Sequence, residues 1–130
     1  MGTRLAALAA GSEDLRLVGG TEQPGHTAIG KDVGEVAGAS PVGQVVGTDL
    51  GRVVEKGQVA IAFTTPEATL ADAAICADKG VAMVVGTTGF SAEQLETFKS
   101  LTASIPCVFA PNYSTAMNVL FKLVEQTAAI

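Results

Sequence analysis

Four short segments of this chain carry residue types that can hold a ligand closely. They are Gly19-Gly20-Thr21-Glu22-Gln23, Thr64-Thr65-Pro66, Gly86-Thr87-Thr88-Gly89-Phe90 and Ala110-Pro111-Asn112-Tyr113-Ser114. Glycine, alanine and threonine let backbone groups approach a ligand, and hydroxyl or carboxylate groups fix its orientation. None of the four pairs a nucleophile with a base, and none has metal-ligand spacing. The chemistry they suit is the close binding of a ligand. Glu22 adds a specific hint. It stands 20 positions beyond Gly2, the distance at which an acidic residue holds the adenosine ribose hydroxyls beyond a glycine-rich phosphate turn. The hint is partial, because no Gly-x-Gly-x-x-Gly motif is present and no strand precedes the first helix. Plainer readings stand beside it: Gly86 and Gly89 also suit ordinary turns, Asn112 a turn, and Glu22 a solvated charge. His26, the one histidine, lies in a Pro/Gly-rich loop without an acid–base partner and reads as non-catalytic.

Each segment follows an apolar stretch, and those stretches imply the scaffold. Residues 3–10 read as a helix, and Leu15–Val18 as a short strand. Residues 22–45 read as a long Gly/Pro-rich connection. A short helix is expected from Thr48-Asp49-Leu50 to Lys56. The pattern then becomes regular, with apolar runs Val59–Phe63, Val81–Val85 and Ile105–Ala110 of strand length. Helices with start and stop signals separate them. Thr65-Pro66-Glu67 opens one whose apolar face is Leu70, Ala73, Ala74 and Ala77, and Gly80 ends it. Ser91 and Gln94 form a capping box ahead of Leu95, Phe98 and Leu101. Ser114 caps a last helix carrying Met117, Leu120, Phe121, Val124 and Ala128. Strands apolar throughout are expected to be buried on both faces. Alternating with helices, they predict βαβ units and an α/β fold with a doubly wound parallel sheet of dinucleotide-binding type. In such sheets ligands bind beyond the carboxyl ends of the strands, where the four segments fall.

Composition narrows the classes further. Of 130 residues, 48% are apolar and 16% charged, enough for a core and against disorder. Glycine is in excess, at 15 residues, against a typical share of about 7%. The net charge is −5 and no basic run occurs, so no nucleic-acid partner is expected. No apolar stretch approaches the ~18 residues of a membrane span. With no clear leader, a cytoplasmic protein is expected. Cys76 and Cys107 read as core thiols.

The loop segments resemble those of the 4-hydroxy-tetrahydrodipicolinate reductase (dihydrodipicolinate reductase) family. The matching blocks are Phe63-Thr64-Thr65-Pro66-Glu67-Ala68-Thr69-Leu70, Gly86-Thr87-Thr88-Gly89-Phe90, and Ala110-Pro111-Asn112-Tyr113-Ser114 with Asn118-Val119-Leu120. The loop Gly25-His26 with Gly30–Gly38 is similar as well. The likeness runs through nearly the whole chain, in order. It implies a Rossmann-like cofactor domain. It also implies reduction, by NADH or NADPH, of a cyclic dicarboxylate in diaminopimelate and lysine biosynthesis. Carried over by position, Glu22 and Gln23 would bind the adenosine ribose. Gly86, Thr87 and Thr88 would meet the nicotinamide side, with Thr88 at the carboxamide. Ala110, Pro111, Asn112 and Tyr113 would line the same pocket, and Phe63 and Thr64 would lie along the cofactor's middle. A homotetramer is implied for the full-length protein.

Three departures from the family pattern shape the expectations. The family's first strand and most of its phosphate loop have no counterpart in residues 1–130, and Met1 reads as an internal methionine. The family's C-terminal substrate domain, with the catalytic residues and a His-His-x-x-Lys motif, has none either. Gln23 stands where many members have Arg, which favours NADH mildly, since Gln offers no charge to a 2′-phosphate. The whole chain is therefore expected to be one incomplete dinucleotide-binding domain. Alone, it is expected to be poorly stable, to grip pyrophosphate weakly and to be catalytically inactive. Two other readings stay open: a non-catalytic NAD(P)H-binding module, and the nucleotide domain of another amino-acid dehydrogenase.

Overall fold

In the computed structural model, which describes residues 1–129, the strands form two parallel sheets. The elements in chain order are α1 (Gly2–Ala10), β1 (Gly20–Thr21), α2 (Val33–Val36), β2 (Val46–Gly47), a 3-10 turn (Leu50–Arg52), β3 (Val59–Ala62), α3 (Pro66–Lys79), β4 (Ala82–Val85), α4 (Ala92–Thr102), β5 (Cys107–Phe109) and α5 (Thr115–Ala128). β1 pairs with β2, and β3, β4 and β5 pair in that order. A doubly wound sheet in its common order would place one further strand between β1 and β3. No strand among the described residues joins those two edges, and the sheet divides there.

The three-stranded half is built as the local signals dictate. Thr65 Oγ1 accepts the Ala68 N–H at the start of α3, Pro66 occupies its first turn, and Gly80 ends it in the left-handed conformation at φ 65°. Ser91 and Gln94 complete their reciprocal capping box on α4, and Ser114 caps α5. Glu67 accepts a hydrogen bond from the Gln94 side chain at 2.9 Å, tying the start of α3 to that of α4. Residues in register across the sheet share a face. Ala60, Met83 and Cys107 form one row and Ala62, Val85 and Phe109 another, both turned to α3 and α4. Phe98 of α4 packs beside Phe109 and Phe90, with ring centroids 5.3 and 5.6 Å away. Cys76 is fully buried in this core, and its thiol is pushed up to about 11 by burial, with Asp72 adding to the effect. Cys107 is half-buried, so both thiols belong to the core as expected.

Three expectations about the strands and α3 need correction. The first strand is not Leu15–Val18 but Gly20–Thr21, because only these residues find a parallel partner, Val46–Gly47. The strands are not buried on both faces: Val59, Ile61 and Val108 are each more than half exposed. Helices α3 and α4 cover one face of that sheet, whereas every described residue of α5 is exposed. The buried face of α3 is Thr69, Ala73 and Cys76, so of the expected Leu70, Ala73, Ala74 and Ala77 only Ala73 is buried. Leu70 is half-buried at its margin and Ala74 is exposed.

The two-stranded half rests on a smaller core of Ala28, Val33 and Val46. A polar hub supplements it. Asp32 caps α2 through the Gly34 and Glu35 N–H groups and also accepts from the Val42 and Gly43 N–H groups. Desolvation opposes the charge on Asp32, but these four donors together hold its pKa below the ordinary carboxylate value. One carboxylate thus closes much of the glycine-rich connection that follows β1. The expected helix from Thr48 to Lys56 shrinks to the single 3-10 turn, capped by Asp49. Lys79 of α3 donates to the carbonyls of Gly51 and Val54, linking this turn to the larger half.

Candidate cofactor site

The carboxyl ends of β3, β4 and β5 bring three of the four sequence segments together. The Gly86 N–H donates to the Ala62 carbonyl at 2.9 Å, and the Ala110 N–H donates to the Val85 carbonyl at 3.2 Å. These bonds carry the parallel ladders one step past the strands, so the turns leave the sheet side by side. Tyr113 closes the group. Its Oη lies 3.0 Å from the Val85 carbonyl and 3.1 Å from that of Val108, sharing one proton between the ends of β4 and β5. Desolvation pushes the Tyr113 phenol above its ordinary value. Its ring stands 5.9 Å from that of Phe63.

The residues within this group do different things. Gly86 is small for an internal reason: a Cβ there would run into the Phe63 ring. Thr87 is buried, with its side chain turned into the protein. Thr88 and Gly89 are exposed. Gly89 sits at φ 86° with no atom of the described residues near the place a side chain would take, so its backbone is open to a ligand. Asn112 is a turn former, as its plainer reading had it. Its Oδ1 accepts the Ser114 N–H at 2.8 Å, and its carbonyl accepts from Asn118 at 3.1 Å. Pro111 is exposed and Ala110 half-buried at the rim.

Glu22 and Gln23 stand at the carboxyl end of β1, where the Glu22 N–H donates to the Gly47 carbonyl. Both are exposed. The Gln23 N–H lies 3.3 Å from Glu22 Oε2. Among the described residues, no hydrogen bond joins them to the turns of the larger half. They share with those turns only their place at the carboxyl ends of parallel strands. His26 accepts the Ala28 N–H through Nδ1 at 3.2 Å and serves its own loop. Among the described residues, no cluster of His, Cys, Asp and Glu could hold a metal ion, and no helix is long and apolar enough to cross a membrane.

Sequence reasoning missed Thr69. It is fully buried and bonded to the threonines of two site turns, Thr64 and Thr87. The spacing Thr69–Ala73–Cys76 would have revealed it, had threonine and cysteine counted as core residues.

The arrangement is that of a nucleotide-binding sheet, and comparison decides which. Residues 1–113 match the family model described as dihydrodipicolinate reductase, N-terminus. The chain belongs to that family. It is 45% identical over 130 residues to 4-hydroxy-tetrahydrodipicolinate reductase from Anaeromyxobacter sp. (strain Fw109-5), and equally to the one from Desulfotalea psychrophila. The reductase from Syntrophobacter fumaroxidans is 38% identical over the same length. All of this chain aligns in each case, against 48%, 48% and 49% of the relatives. The chain thus spans about half the length of the curated relatives it matches. The matched portion is the family's N-terminal, pyridine-nucleotide-binding part.

Proposed function

We propose that this chain supplies the cofactor-binding half of a 4-hydroxy-tetrahydrodipicolinate reductase, an enzyme of diaminopimelate and lysine biosynthesis. The observation that carries the proposal is the convergence of the Gly86–Phe90 and Ala110–Tyr113 turns at adjoining strand ends, in a chain of this family. The residues fit a pyridine nucleotide. Thr88 presents a hydroxyl and Gly89 an open backbone beyond the carboxyl end of β4, and Glu22 presents a carboxylate at the carboxyl end of β1. The bound nucleotide would supply the hydride for a cyclic dicarboxylate substrate. The chain's own residues bind and orient. Thr88 donates to or accepts from the nicotinamide carboxamide. Gly86 and Thr87 contribute backbone only, since Phe63 covers one and the other is turned inward. Ala110, Pro111, Asn112 and Tyr113 form the facing wall. Phe63 and Thr64 border the middle of the cofactor. Glu22 accepts from the adenosine ribose hydroxyls, and the first turn of α1, which lacks a side-chain cap, offers free N–H groups to phosphate. Proton donation to the substrate falls to residues outside this chain, as does assembly into a homotetramer. The function belongs in the cytoplasm.

Gln23, neutral and exposed beside Glu22, makes NADH the better-served cofactor, because a 2′-phosphate finds no positive charge there. The test joins this chain to the portions of the Anaeromyxobacter reductase that flank the aligned segment. Reduction of the dicarboxylate with NADH at least as effective as NADPH is expected. Absence of turnover in a folded protein would overturn the assignment. NADPH binding more than ~10-fold tighter, a difference of ~1.4 kcal/mol, would overturn the cofactor preference alone.

A further inference from the structure

Beneath the exposed turns lies a chain of three threonine hydroxyls. Thr69 Oγ1 is 2.8 Å from Thr64 Oγ1 and 2.7 Å from Thr87 Oγ1, and the Thr64 N–H donates to Thr87 Oγ1 at 3.1 Å. Thr64 Oγ1 lies 3.3 Å from the Thr65 carbonyl. Thr69 and Thr87 are buried, at 0% and 2% exposure, and no buried side-chain polar atom among the described residues lacks a partner. Those facts fix the direction of the protons. If Thr64 donated to Thr69 and Thr69 to Thr87, the Thr87 proton would have nowhere to go. If Thr64 and Thr87 both donated to Thr69, the Thr69 proton would be stranded. One arrangement satisfies every group. The Thr64 N–H donates to Thr87, the Thr87 hydroxyl to Thr69, the Thr69 hydroxyl to Thr64, and the Thr64 hydroxyl to the Thr65 carbonyl. Stranding the hydroxyl proton of Thr69 or Thr87, both buried, carries the full cost of its desolvation.

Thr69 belongs to α3, whereas Thr64 follows β3 and Thr87 follows β4. Its hydroxyl therefore fastens two turns that the strands deliver separately. We propose that Thr69 is a positioning residue for the cofactor site. By holding the Thr87 side chain inward, it sets the Gly86–Gly89 turn so that Thr88 and the Gly89 backbone face outward. The proposal rests on the nucleotide reading above for its functional consequence, but its structural part stands on the hydroxyl chain alone.

The test compares Thr69→Val, which keeps the branched shape and removes the hydroxyl, with Thr69→Ser, which keeps the hydroxyl. Two readouts are taken on the full chain: amide hydrogen exchange and NADH titration. In the valine variant the residue-64 amide is expected to exchange at least ~10-fold faster while the Gly86 amide, held by the β3–β4 ladder, is unchanged. NADH affinity is expected to fall ~10-fold, equivalent to ~1.4 kcal/mol. Serine is expected to restore both to within ~2-fold. Unchanged exchange at residue 64, or uniformly faster exchange across the sheet, would overturn the proposal. So would loss of affinity that serine does not rescue. Should the valine variant fail to fold, Thr69→Ala removes the same hydroxyl with less bulk, and its residue-64 amide must also exchange faster. If the unaltered chain does not bind NADH, the nucleotide reading fails, and residue-64 exchange still decides whether Thr69 fastens the turns.

Discussion

The two halves of this molecule follow one plan with unequal means. The larger half, from β3 to β5, has three paired strands, two capped helices and nine of the ten buried residues of the main core, the tenth being Val54 on the connection before β3. The smaller half, from α1 to the 3-10 turn, has two strands of two residues each and a core of three buried residues. Apolar burial holds the first. The second leans on backbone hydrogen bonds gathered by Asp32, each of which contributes modestly because the unfolded chain makes equivalent bonds to water. The comparison teaches where a nucleotide site can be rigid. The turns proposed for the nicotinamide side rise from the packed half, and Glu22, the proposed ribose acid, from the half with the smaller core, where local unfolding is expected first.

The largest expected effect lies in the packed half. Phe98→Ala empties the centre of the Phe90–Phe98–Phe109 cluster. Losses of this kind cost about 3–5 kcal/mol. Urea denaturation followed by far-UV circular dichroism is expected to show the β3–β5 half melting at much lower denaturant. A change below ~1 kcal/mol would mean that this cluster is not the core.

Acid sharpens the contrast from the other side. The folded-state pKa of Asp32 lies below its ordinary value, so its contribution is present above that value and fades as pH falls through the folded pKa. Residues 32–43 are expected to lose exchange protection below about pH 3.8 before β3–β5 does. Asp32→Asn, which cannot take four donors with a full charge, is expected to lose that protection already at neutral pH and to show no further acid step of this origin. Simultaneous loss in both halves would contradict the division.

The smallest effect concerns the thiols. With the Cys76 thiol pushed up to about 11 and fully buried, alkylation at pH 8 is expected at Cys107 first and at Cys76 only on unfolding. Mass mapping of the labelled peptides checks the order.

Much of the larger half was legible because its signals are local. Thr65-Pro66, Gly80, the Ser91–Gln94 box and Ser114 each specify a helix end by chemistry within four residues. The turns of the site were legible for the same reason, since they follow unbroken apolar runs. The first strand was not. Leu15–Val18 is more apolar than Gly20–Thr21, but a strand needs a partner, and only the latter meets Val46–Gly47. Burial on one face alone was hidden too, because Val59, Ile61 and Val108 read as core whether or not anything covers them. The burial of Thr69 was legible in its helical spacing with Ala73 and Cys76, but the inward turn of Thr87 and the bonds joining the two were not. A threonine enters a core only when its hydroxyl is paired, and pairing across β3, α3 and β4 is a property of the fold.

The most direct test of the account is peptide-level hydrogen exchange on the whole chain, with and without saturating NADH. Slower exchange is predicted at residues 86–90 and 110–113, with a smaller slowing at Glu22–Gln23 and none along the exposed row of Ile61 and Val108. A folded β3–β5 half whose two turns exchange identically with and without NADH would contradict it.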